Sequence, residues 1–246
     1  MMENVSGINP HVSVDCVIFG FDGESLKLLV IEREVGEGVS KRVNALPGDL
    51  IKDDEDLNSA AARILYELTN LADIYLEQFF TFGNPLRIRN PEDVEWLRRV
   101  RAFPNARVIT VAYYSLVRLD KLAPRASSFA KMAGWSPIDD KLKLAFDHNE
   151  IVNKALETLR YKLKFQPVGF ELLPKKFTLS QLQKLYEAIF GLALDKRNFR
   201  KKFLNKKILI PLQEKEIGVA HKPARYYQFD ESRYREISGK EILFNI

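Results

Sequence analysis

The sequence is poor in cysteine and histidine, and it has no long apolar segment. The single cysteine, Cys16, cannot form an internal disulfide, and its surroundings, VSVDCVIFGF, predict a small buried side chain rather than a nucleophile. The three histidines are widely separated, which excludes a structural zinc cluster. No apolar run approaches the roughly 18 to 20 residues of a membrane span, and the N-terminal residues do not resemble a secretory signal. We therefore expect a cytoplasmic protein that does not insert into a membrane.

Charge is unevenly distributed along the chain. The 246 residues carry a net charge of +5, but residues 151–246 hold 20 Lys and Arg against 10 Asp and Glu, whereas residues 1–150 hold 18 against 23. A basic part joined to a mildly acidic part is typical of a nucleic-acid-binding module attached to another domain. A solvated basic surface is the alternative. We divide the chain into domains at residues 1–150 and 151–246, and expect the connection between their folds near FQPVGFELLPKK.

The N-terminal domain begins with patterns of strands and one helix. Apolar and β-branched runs on both sides of Asp22 and Gly23 predict two strands joined by a tight turn. The segment GEGVSKRVNALPGD predicts a loop. A helix is then expected from an N-cap at Asp56 to about Thr69, with Asn70 at its C-terminal end.

Two further strands are expected in the same domain, at EQFFTFG and ARVITVAYYSLVRL. They are separated by NPLRIRNPEDVEWLRRVRAFPN, a polar and arginine-rich connection with three prolines. Connections of this length in compact domains are often functional. WSPIDD then predicts a turn, and LAFDHNEIVNKALETLRYKLKF predicts a long amphipathic helix.

The C-terminal domain shows the order of a winged helix-turn-helix. FTLSQLQKLYEAIFG has apolar residues at the helical period, with Thr178 or Ser180 as N-cap and Gly191 at its end. After a short interval a second helix, DKRNFRKKFLNKK, is expected with Asp195 as N-cap. Its apolar side is formed by Phe199, Phe203 and Leu204. ILIPL and RYYQF then predict two strands around the polar hairpin QEKEIGVAHKPA.

Seven basic residues crowd the rest of the second helix. Because like charges repel along a helix, a polyanion would stabilise this arrangement. The second helix of such a motif fits the major groove of double-stranded DNA, and the wing approaches the backbone or minor groove. The candidate DNA-binding residues are Lys196, Arg197, Asn198, Arg200, Lys201, Lys222 and Arg225. A packed helical domain with a lysine-rich exterior is the alternative, and RNA is disfavoured because no aromatic stacking platform is visible.

Residues 46–71, LPGDLIKDDEDLNSAAARILYELTNL, resemble the Nudix signature, which is Gly, five residues, Glu, seven residues and Arg-Glu-apolar-x-Glu-Glu-x-Gly-apolar. The charged residues that match it are Glu55, Arg63 and Glu67. Its glycine, two glutamates and final glycine are replaced by Asp49, Ile64, Leu68 and Asn70. Nudix hydrolases hold divalent ions through several helix carboxylates, which alkyl side chains cannot replace. The resemblance therefore implies a Nudix fold that has lost hydrolysis, with no catalytic residue and no metal, and an ion pair between Arg63 and Glu67.

The altered signature, the FDH stretch at Phe146–His148 and FTLSQLQKLYEAIFGLALDKRNFRKKF together resemble the NrtR-like family of Nudix-related transcriptional regulators. This resemblance covers about residues 11–230. It implies an α+β protein with a Nudix-type α/β/α sandwich and mixed sheet, followed by a winged helix-turn-helix. It also implies a homodimeric repressor of a palindromic operator, responding to a small effector in the Nudix cavity. That effector is a sugar, such as arabinose, or an ADP-ribose-like nucleotide, and no cofactor is expected.

The effector-binding candidates come from charge and hydrogen-bonding capacity. They are Arg33, Asn44, Phe82 and Arg107, with Arg42, Arg87, Arg89, Asn84 and Tyr113 as further possibilities. Loss of the metal-binding acids lowers the expected affinity for a diphosphate, which favours a sugar or another small metabolite. Two other classes stay open. One is a Nudix hydrolase acting on ADP-ribose or another nucleoside diphosphate derivative, its metal site rebuilt by distant acids such as Glu77, Glu92 or Glu95. The other is a protein-binding scaffold.

Overall fold

The computed structural model describes residues 7–35, 41–88, 90–139, 141–220 and 222–237. The chain forms two compact units. The first comprises Met1–Gly20, Lys27–Ser115 and Lys121–Ala155, and the second comprises Phe21–Leu26, Leu116–Asp120 and Leu156–Ile246. The division lies within a helix, after Ala155, and two short segments of the N-terminal half cluster with the C-terminal half. The two-domain division at residues 1–150 and 151–246 stays a prediction.

A seven-stranded mixed sheet is the main element of the first unit. Its strands are β1 (Ile8–Phe21), β2 (Leu26–Val35), β3 (Lys41–Ala45), β4 (Gly48–Lys52), β5 (Glu77–Phe82), β6 (Ile109–Arg118) and β7 (Met132–Pro137). The order is β3–β2–β1–β6–β5, with β4 paired to β1 and β7 paired to β2. The side chains of β1 and β2 are buried in nearly continuous runs, which is typical of strands whose two faces are both covered.

Two expectations for this sheet were wrong. Residues 36–49 were expected to form a loop, but residues 41–45 form β3 and residues 48 and 49 begin β4; residues 36–40 lie outside the described residues. WSPIDD was expected to be a turn, but its first three residues end β7, which pairs antiparallel with β2. In both cases the backbone N–H and C=O groups find hydrogen-bond partners on β1 or β2, which local sequence patterns do not reveal. The turn at Asp22 is confirmed: its side chain accepts hydrogen bonds from the amides of Glu24 and Ser25 at 2.9 and 2.8 Å.

Three helices belong wholly or partly to the first unit: α1 (Leu57–Thr69), α2 (Pro91–Val100) and α3 (His148–Leu163). The limits of α1 are confirmed, because Asp56 caps its first turn and Asn70 adopts a left-handed conformation with φ of 56° at its end. The helix α2 was not predicted, and it lies within the long arginine-rich connection. Its signals were present, since Asn90 caps the helix and Pro91 occupies its first turn.

The second unit has the predicted order of helix, short turn, basic helix and hairpin. Its elements are β8 (Phe177–Thr178), α4 (Leu179–Phe190), α5 (Lys196–Asn205), β9 (Leu209–Lys215), β10 (Arg225–Phe229) and α6 (Glu231–Ile237). The three strands form a sheet in the order β8–β10–β9. Of the two proposed N-caps of α4, Thr178 is the one used, in a capping box with Gln181. Gly191 ends α4 at φ of 70°.

Aromatic side chains make up much of the core of the second unit. The ring of Tyr186 on α4 packs edge-on against those of Phe199 and Phe203 on α5, with centroids 5.6 and 5.1 Å apart. Phe170 stacks on Phe229 of β10 at 4.4 Å. The contacts of Tyr186 fix α5 against α4, and the opposite side of α5 faces solvent. In the described parts of the chain, no helix combines the length and the apolarity needed to cross a bilayer.

Candidate functional site

A cavity of about 40 Å³ lies within the first unit, lined by both polar and aromatic side chains. The polar side chains are those of Ser13, Asp15, Arg33, Asp49, Arg87, Arg101, Thr110 and His148. The aromatic ones are those of Trp96, Phe129 and Phe146. They come from β1, β2, β4, β6, α2, the start of α3 and the loops between these elements, so segments far apart in sequence build the cavity together.

One wall of the cavity requires a glycine. Asp15 on β1 pairs with Gly48 on β4, and a Cβ at Gly48 would overlap the Asp15 carboxylate. Asp15 is buried, and its oxygens lie 3.5 Å from Nε2 of His148 and 3.8 Å from Nη2 of Arg87. Gly48 therefore leaves room for the carboxylate of Asp15 in the cavity wall, close to the side chains of His148 and Arg87.

The protonation state of His148 follows from its contacts. Its Nδ1 accepts a hydrogen bond from the amide of Leu46 at 2.9 Å, so this nitrogen carries no proton. Burial lowers the pKa of His148, and the nearby carboxylates of Asp15 and Asp147 oppose this only in part. The ring is therefore neutral near pH 7, with the proton on Nε2, which faces Asp15.

Arg87 is held in place by a bidentate ion pair. Its Nε and Nη2 donate to the two oxygens of Asp147 at 2.8 and 2.7 Å, and its Nη1 donates to the hydroxyl of Thr110. Burial opposes the charge, but the bonds to Asp147 and the field of Asp15 outweigh it, so the pKa of Arg87 is raised. Arg87 is a fixed positive group in the cavity wall.

Arg33 combines burial with unused hydrogen-bond donors. Its guanidinium lies between the rings of Trp96 and Phe146, 4.5 and 4.2 Å from their centroids, and pairs with Asp93 of α2. Burial lowers its pKa, and Asp93 opposes that effect. Within the described residues, Nε and Nη1 of Arg33 have no hydrogen-bond partner. A ligand oxygen in the cavity would satisfy a group whose isolation is costly.

The remaining charged groups keep the cavity close to electrical balance. Arg33 and Arg87 each have a carboxylate partner, and the other charged side chains of the wall are Arg101, Asp15 and Asp49. Burial lowers the pKa of Arg101 and raises that of Asp49. Alternating donors and acceptors beside aromatic faces are suited to a neutral polyhydroxylated molecule. A ligand with two negative charges would meet the guanidinium groups of Arg33, Arg87 and Arg101 as well as the side chains of Asp15 and Asp49.

The four predicted effector-binding residues are not brought together. Arg33 lines the cavity, whereas Asn44 lies in a separate groove beside β3 and Phe82 is buried at the end of β5. Arg107 donates to the carbonyl of Gly83 at 3.0 Å outside the cavity. Because Phe82 is buried in the apolar core, its ring has no face available to a ligand.

Other residues mentioned as possible effector contacts are distributed in the same way. Arg87 lines the cavity, but Arg42 and Asn84 lie in other grooves, and Tyr113 is buried with its hydroxyl bonded to Asn58 at 2.9 Å. Arg89 lies outside the described residues. Sequence reasoning missed the acidic side of the cavity. Asp15 offered a signal, since it is a charged residue inside an apolar strand.

The altered Nudix signature is organised around Arg63. Its Nε donates to Glu55 at 2.8 Å and its Nη1 donates to Glu67 at 2.8 Å, which confirms the predicted ion pair with Glu67. Ile64 and Leu68 are buried, at 1% and 2% exposure, so their alkyl groups pack in the core. Among the described residues, no group of three or more His, Cys, Asp or Glu side chains is arranged to hold a metal ion.

A second candidate site is the exposed side of α5. The helix is capped by Asp195, which accepts from the amide of Asn198 at 2.8 Å, and Phe199 and Phe203 anchor it in the core. The exposed side chains of its polar face are those of Lys196, Arg197, Asn198, Lys201 and Lys202. This geometry places a positive face at the N-terminal part of the helix, where a second helix-turn-helix segment meets DNA.

Two residues of α5 differ from the expectation. Arg200 is only half-exposed, and its Nη2 donates to Oγ of Ser180 on α4 at 3.1 Å, so part of its side chain ties the two helices together. Leu204 was expected on the apolar side, but it is 44% exposed, because Phe199 and Phe203 already fill the space against Tyr186. In the wing, Lys222 and Arg225 are both exposed.

Comparisons with known proteins bear on both units. Residues 169–229 match the family described as the NrtR DNA-binding winged helix domain. The chain is 29% identical over 225 residues to the ADPR responsive transcriptional repressor NtrR of Acinetobacter baylyi, a match that covers 90% of this chain and 82% of that protein. It is 26% identical to NrtR of Shewanella oneidensis in a crystal structure complexed with a 27mer DNA, with a TM-score of 0.64 over 91% of this chain and 95% of that chain.

A third relative bears on the fold alone. A MutT/nudix family protein from Enterococcus faecalis gives a TM-score of 0.65 at 23% identity, over 90% of this chain and 86% of that chain. With the winged-helix match, this likeness confirms the predicted α+β class, a Nudix-type domain followed by a winged helix.

Proposed function

We propose that this chain, an NrtR-like member of the Nudix-related transcriptional regulators, is a repressor whose affinity for double-stranded DNA changes when a small molecule occupies the cavity of its first unit. The observation that carries DNA binding is the positive face of α5, whose apolar side is fixed by Phe199 and Phe203. The family of its winged helix and the DNA complex of the Shewanella oneidensis relative support the same conclusion.

DNA binding is tested with a pool of random-sequence duplexes. The full-length protein is expected to enrich a palindromic site, and Lys201→Ala is expected to weaken binding to it. Loss of one phosphate contact lowers the slope of log affinity against log salt concentration by about 0.9. Lys164→Ala, which removes an exposed lysine after α3, is the matched control. Equal affinity and equal slope in Lys201→Ala and the control would remove the assignment of α5.

We propose that the effector is a sugar, such as arabinose. Its support is the chemistry of the cavity wall, which has nearly balanced charge and combines the spare donors of Arg33 with the acids Asp15 and Asp49 and with aromatic rings. The cavity of about 40 Å³ must widen to admit a sugar, so side chains of its wall have to move when the effector binds. ADP-ribose is the second candidate, because the Acinetobacter baylyi relative is named for its response to ADPR.

Thermal unfolding separates the two effectors. A ligand at about 100 times its Kd stabilises the folded state by about 2.7 kcal/mol. Arabinose is expected to raise the Tm of the wild type but not that of Arg101→Gln, which removes a guanidinium from the cavity wall. Arg98→Gln, on the exposed side of α2, is the control. A shift with ADP-ribose and none with arabinose would favour the nucleotide.

We also propose that the first unit does not hydrolyse nucleoside diphosphates. The support is the burial of Ile64 and Leu68 at the positions of two signature glutamates, and the engagement of Glu55 and Glu67 by Arg63. Incubation with ADP-ribose and Mg²⁺ or Mn²⁺ is expected to release no AMP. Turnover at an ordinary enzymatic rate that is abolished by Glu67→Gln would establish the hydrolase instead.

Binding to a palindrome requires two copies of the winged helix, so we propose a homodimer. Its half-sites are expected to be separated by about 34 to 36 Å or a multiple of that distance. Sedimentation of the free protein and of its complex with the selected duplex measures the stoichiometry. One chain per duplex at saturation would contradict the proposal.

A further inference from the structure

The wing carries an apolar side chain at a position where solvent surrounds it. Ile217 follows β9 and is 95% exposed, the highest exposure among the large apolar side chains of the described residues. A single exposed apolar residue is common on protein surfaces and by itself indicates nothing. Its place is informative here, because Ile217 lies in the hairpin loop of a winged helix.

The base of this loop is closed by hydrogen bonds. The amide of Glu216 donates to the carbonyl of Ala224 at 3.0 Å, and the amide of Ala224 donates to the carboxylate of Glu216 at 3.0 Å. At the adjoining ends of the two strands, Arg225 of β10 lies opposite Lys215 of β9 in the antiparallel register. Ile217 is therefore the first residue after the hydrogen-bonded pair of Glu216 and Ala224, so the backbone that carries its side chain is held in place.

The chain turns sharply at the next residue. Gly218 has φ of 74°, a conformation that side chains rarely adopt, so Ile217 stands at the bend and projects from the loop. The carboxylate of Glu216 accepts its hydrogen bond from within the hairpin. The same hairpin carries three exposed basic side chains, those of Lys215 and Arg225 on the strands and that of Lys222 in the loop.

A projecting apolar side chain among positive charges matches the chemistry of the DNA minor groove. The phosphates on both rims attract lysine and arginine, and the sugar walls and base steps inside accept apolar side chains. A protein partner with an apolar pocket would have to face the same positive charge. Continuity with the basic face of α5 in one DNA-binding domain therefore favours DNA as the occupant.

We propose that Ile217 enters the minor groove of the bound duplex and packs against its sugars or between its base steps. The inference rests on the proposed DNA-binding function and adds a contact that reads groove shape rather than charge. Sequences with a groove that admits the side chain, or with a base step that opens easily, would then be bound more tightly.

The test uses the full-length protein and the duplex enriched from the random pool. Ile217→Ala is expected to bind this duplex about 5- to 30-fold more weakly, since an apolar side chain is no longer buried. Its salt slope is expected to equal that of the wild type, because no phosphate contact is lost. Ile210→Ala, which truncates a 43% exposed isoleucine on β9 of the same hairpin, is the matched control and should bind within twofold of the wild type.

Hydroxyl-radical footprinting locates the contact, because the radical attacks sugars through the minor groove. Ile217→Ala is expected to lose protection only where the wing lies, while the protection by α5 stays. Affinity within twofold of the wild type and an unchanged footprint would overturn the proposal. So would weaker binding caused by dissociation of the protein into monomers, measured by sedimentation, which would assign Ile217 to a contact between chains. If the wild type enriches no duplex, DNA binding itself is refuted, and the wing proposal with it.

Discussion

The ion pair between Arg33 and Asp93 gives a sharp prediction for the stability of the first unit. Asp93 is the only carboxylate that the structure places in an ion pair with Arg33 among the described residues, and the two side chains are 2% and 3% exposed. The second carboxylate oxygen of Asp93 accepts a hydrogen bond from the amide of Phe146 at 2.9 Å. Asp93→Ala removes both bonds and leaves a guanidinium buried between two aromatic rings without a counter-ion.

The size of the effect follows from that burial. Removing one partner of a buried ion pair costs about 3 to 5 kcal/mol, because the remaining charge stays desolvated. In a protein of this length, each kcal/mol lowers Tm by about 2 to 4 °C, so the expected loss is about 6 to 20 °C. Glu95→Ala on the same helix is the control, since its pairs with Arg98 and Arg99 are exposed and cost less than about 1 kcal/mol.

Tryptophan fluorescence is a suitable assay. The chain has two tryptophans, Trp96 and Trp135, and both belong to the first unit, so their emission follows unfolding of that unit. The Trp96 ring also lies against the guanidinium of Arg33, so the emission of the folded protein reports on that contact directly. The double variant Arg33→Met with Asp93→Ala removes the charge as well as its partner, and it is expected to recover part of the lost stability.

Two results would refute this reasoning. If Asp93→Ala lowers Tm no more than Glu95→Ala, the pair is not the stabilising contact that its burial implies. If the double variant is as unstable as Asp93→Ala, the loss comes from packing or from the amide of Phe146, and not from the uncompensated charge.

Three other predictions concern buried groups of the first unit. Burial lowers the pKa of His148 from its usual 6.5, so the unfolded state binds a proton more readily than the folded state. The free energy of unfolding should therefore decline below about pH 6.5, by up to about 1.4 kcal/mol per pH unit. Urea titrations at several pH values should show a flatter pH profile for His148→Gln than for the wild type. Ile64→Glu should destabilise the protein by about 3 kcal/mol or more without creating ADP-ribose hydrolysis, whereas Tyr66→Glu, at a 52% exposed site of the same helix, should leave Tm nearly unchanged. Burial raises the pKa of the Cys16 thiol, so Ellman's reagent should react with it only in denaturant, and rapid labelling of the native protein would contradict this.

Local patterns predicted most of the helices and their ends. The caps at Asp56, Thr178 and Asp195 and the left-handed ends at Asn70 and Gly191 lie where the sequence placed them. These features depend on contacts within a few residues, which a sequence displays directly. The order of elements in the winged helix followed from them, and so did the basic face of α5.

The sheet was less predictable, because pairing partners are remote in sequence. β3 and β7 both add to β2, and their glycine, proline and polar residues indicated turns when read locally. The helix α2 shows a different failure: Asn90 and Pro91 are ordinary start signals, but they were outweighed by the prolines and arginines around them. Tertiary pairing overrides weak local preference.

The sequence by itself determined that this protein has a basic winged helix behind a Nudix-like part whose signature lacks two of its glutamates. Composition and short-range spacing are sufficient for that, since each signal lies within one element. The tertiary structure alone decided which side chains meet in the cavity. Asp15, Arg33, Trp96 and His148 are brought together only because strands and helices far apart in the chain pack on one another, and burial then decides which of their charges and hydrogen-bond donors stay available to a ligand.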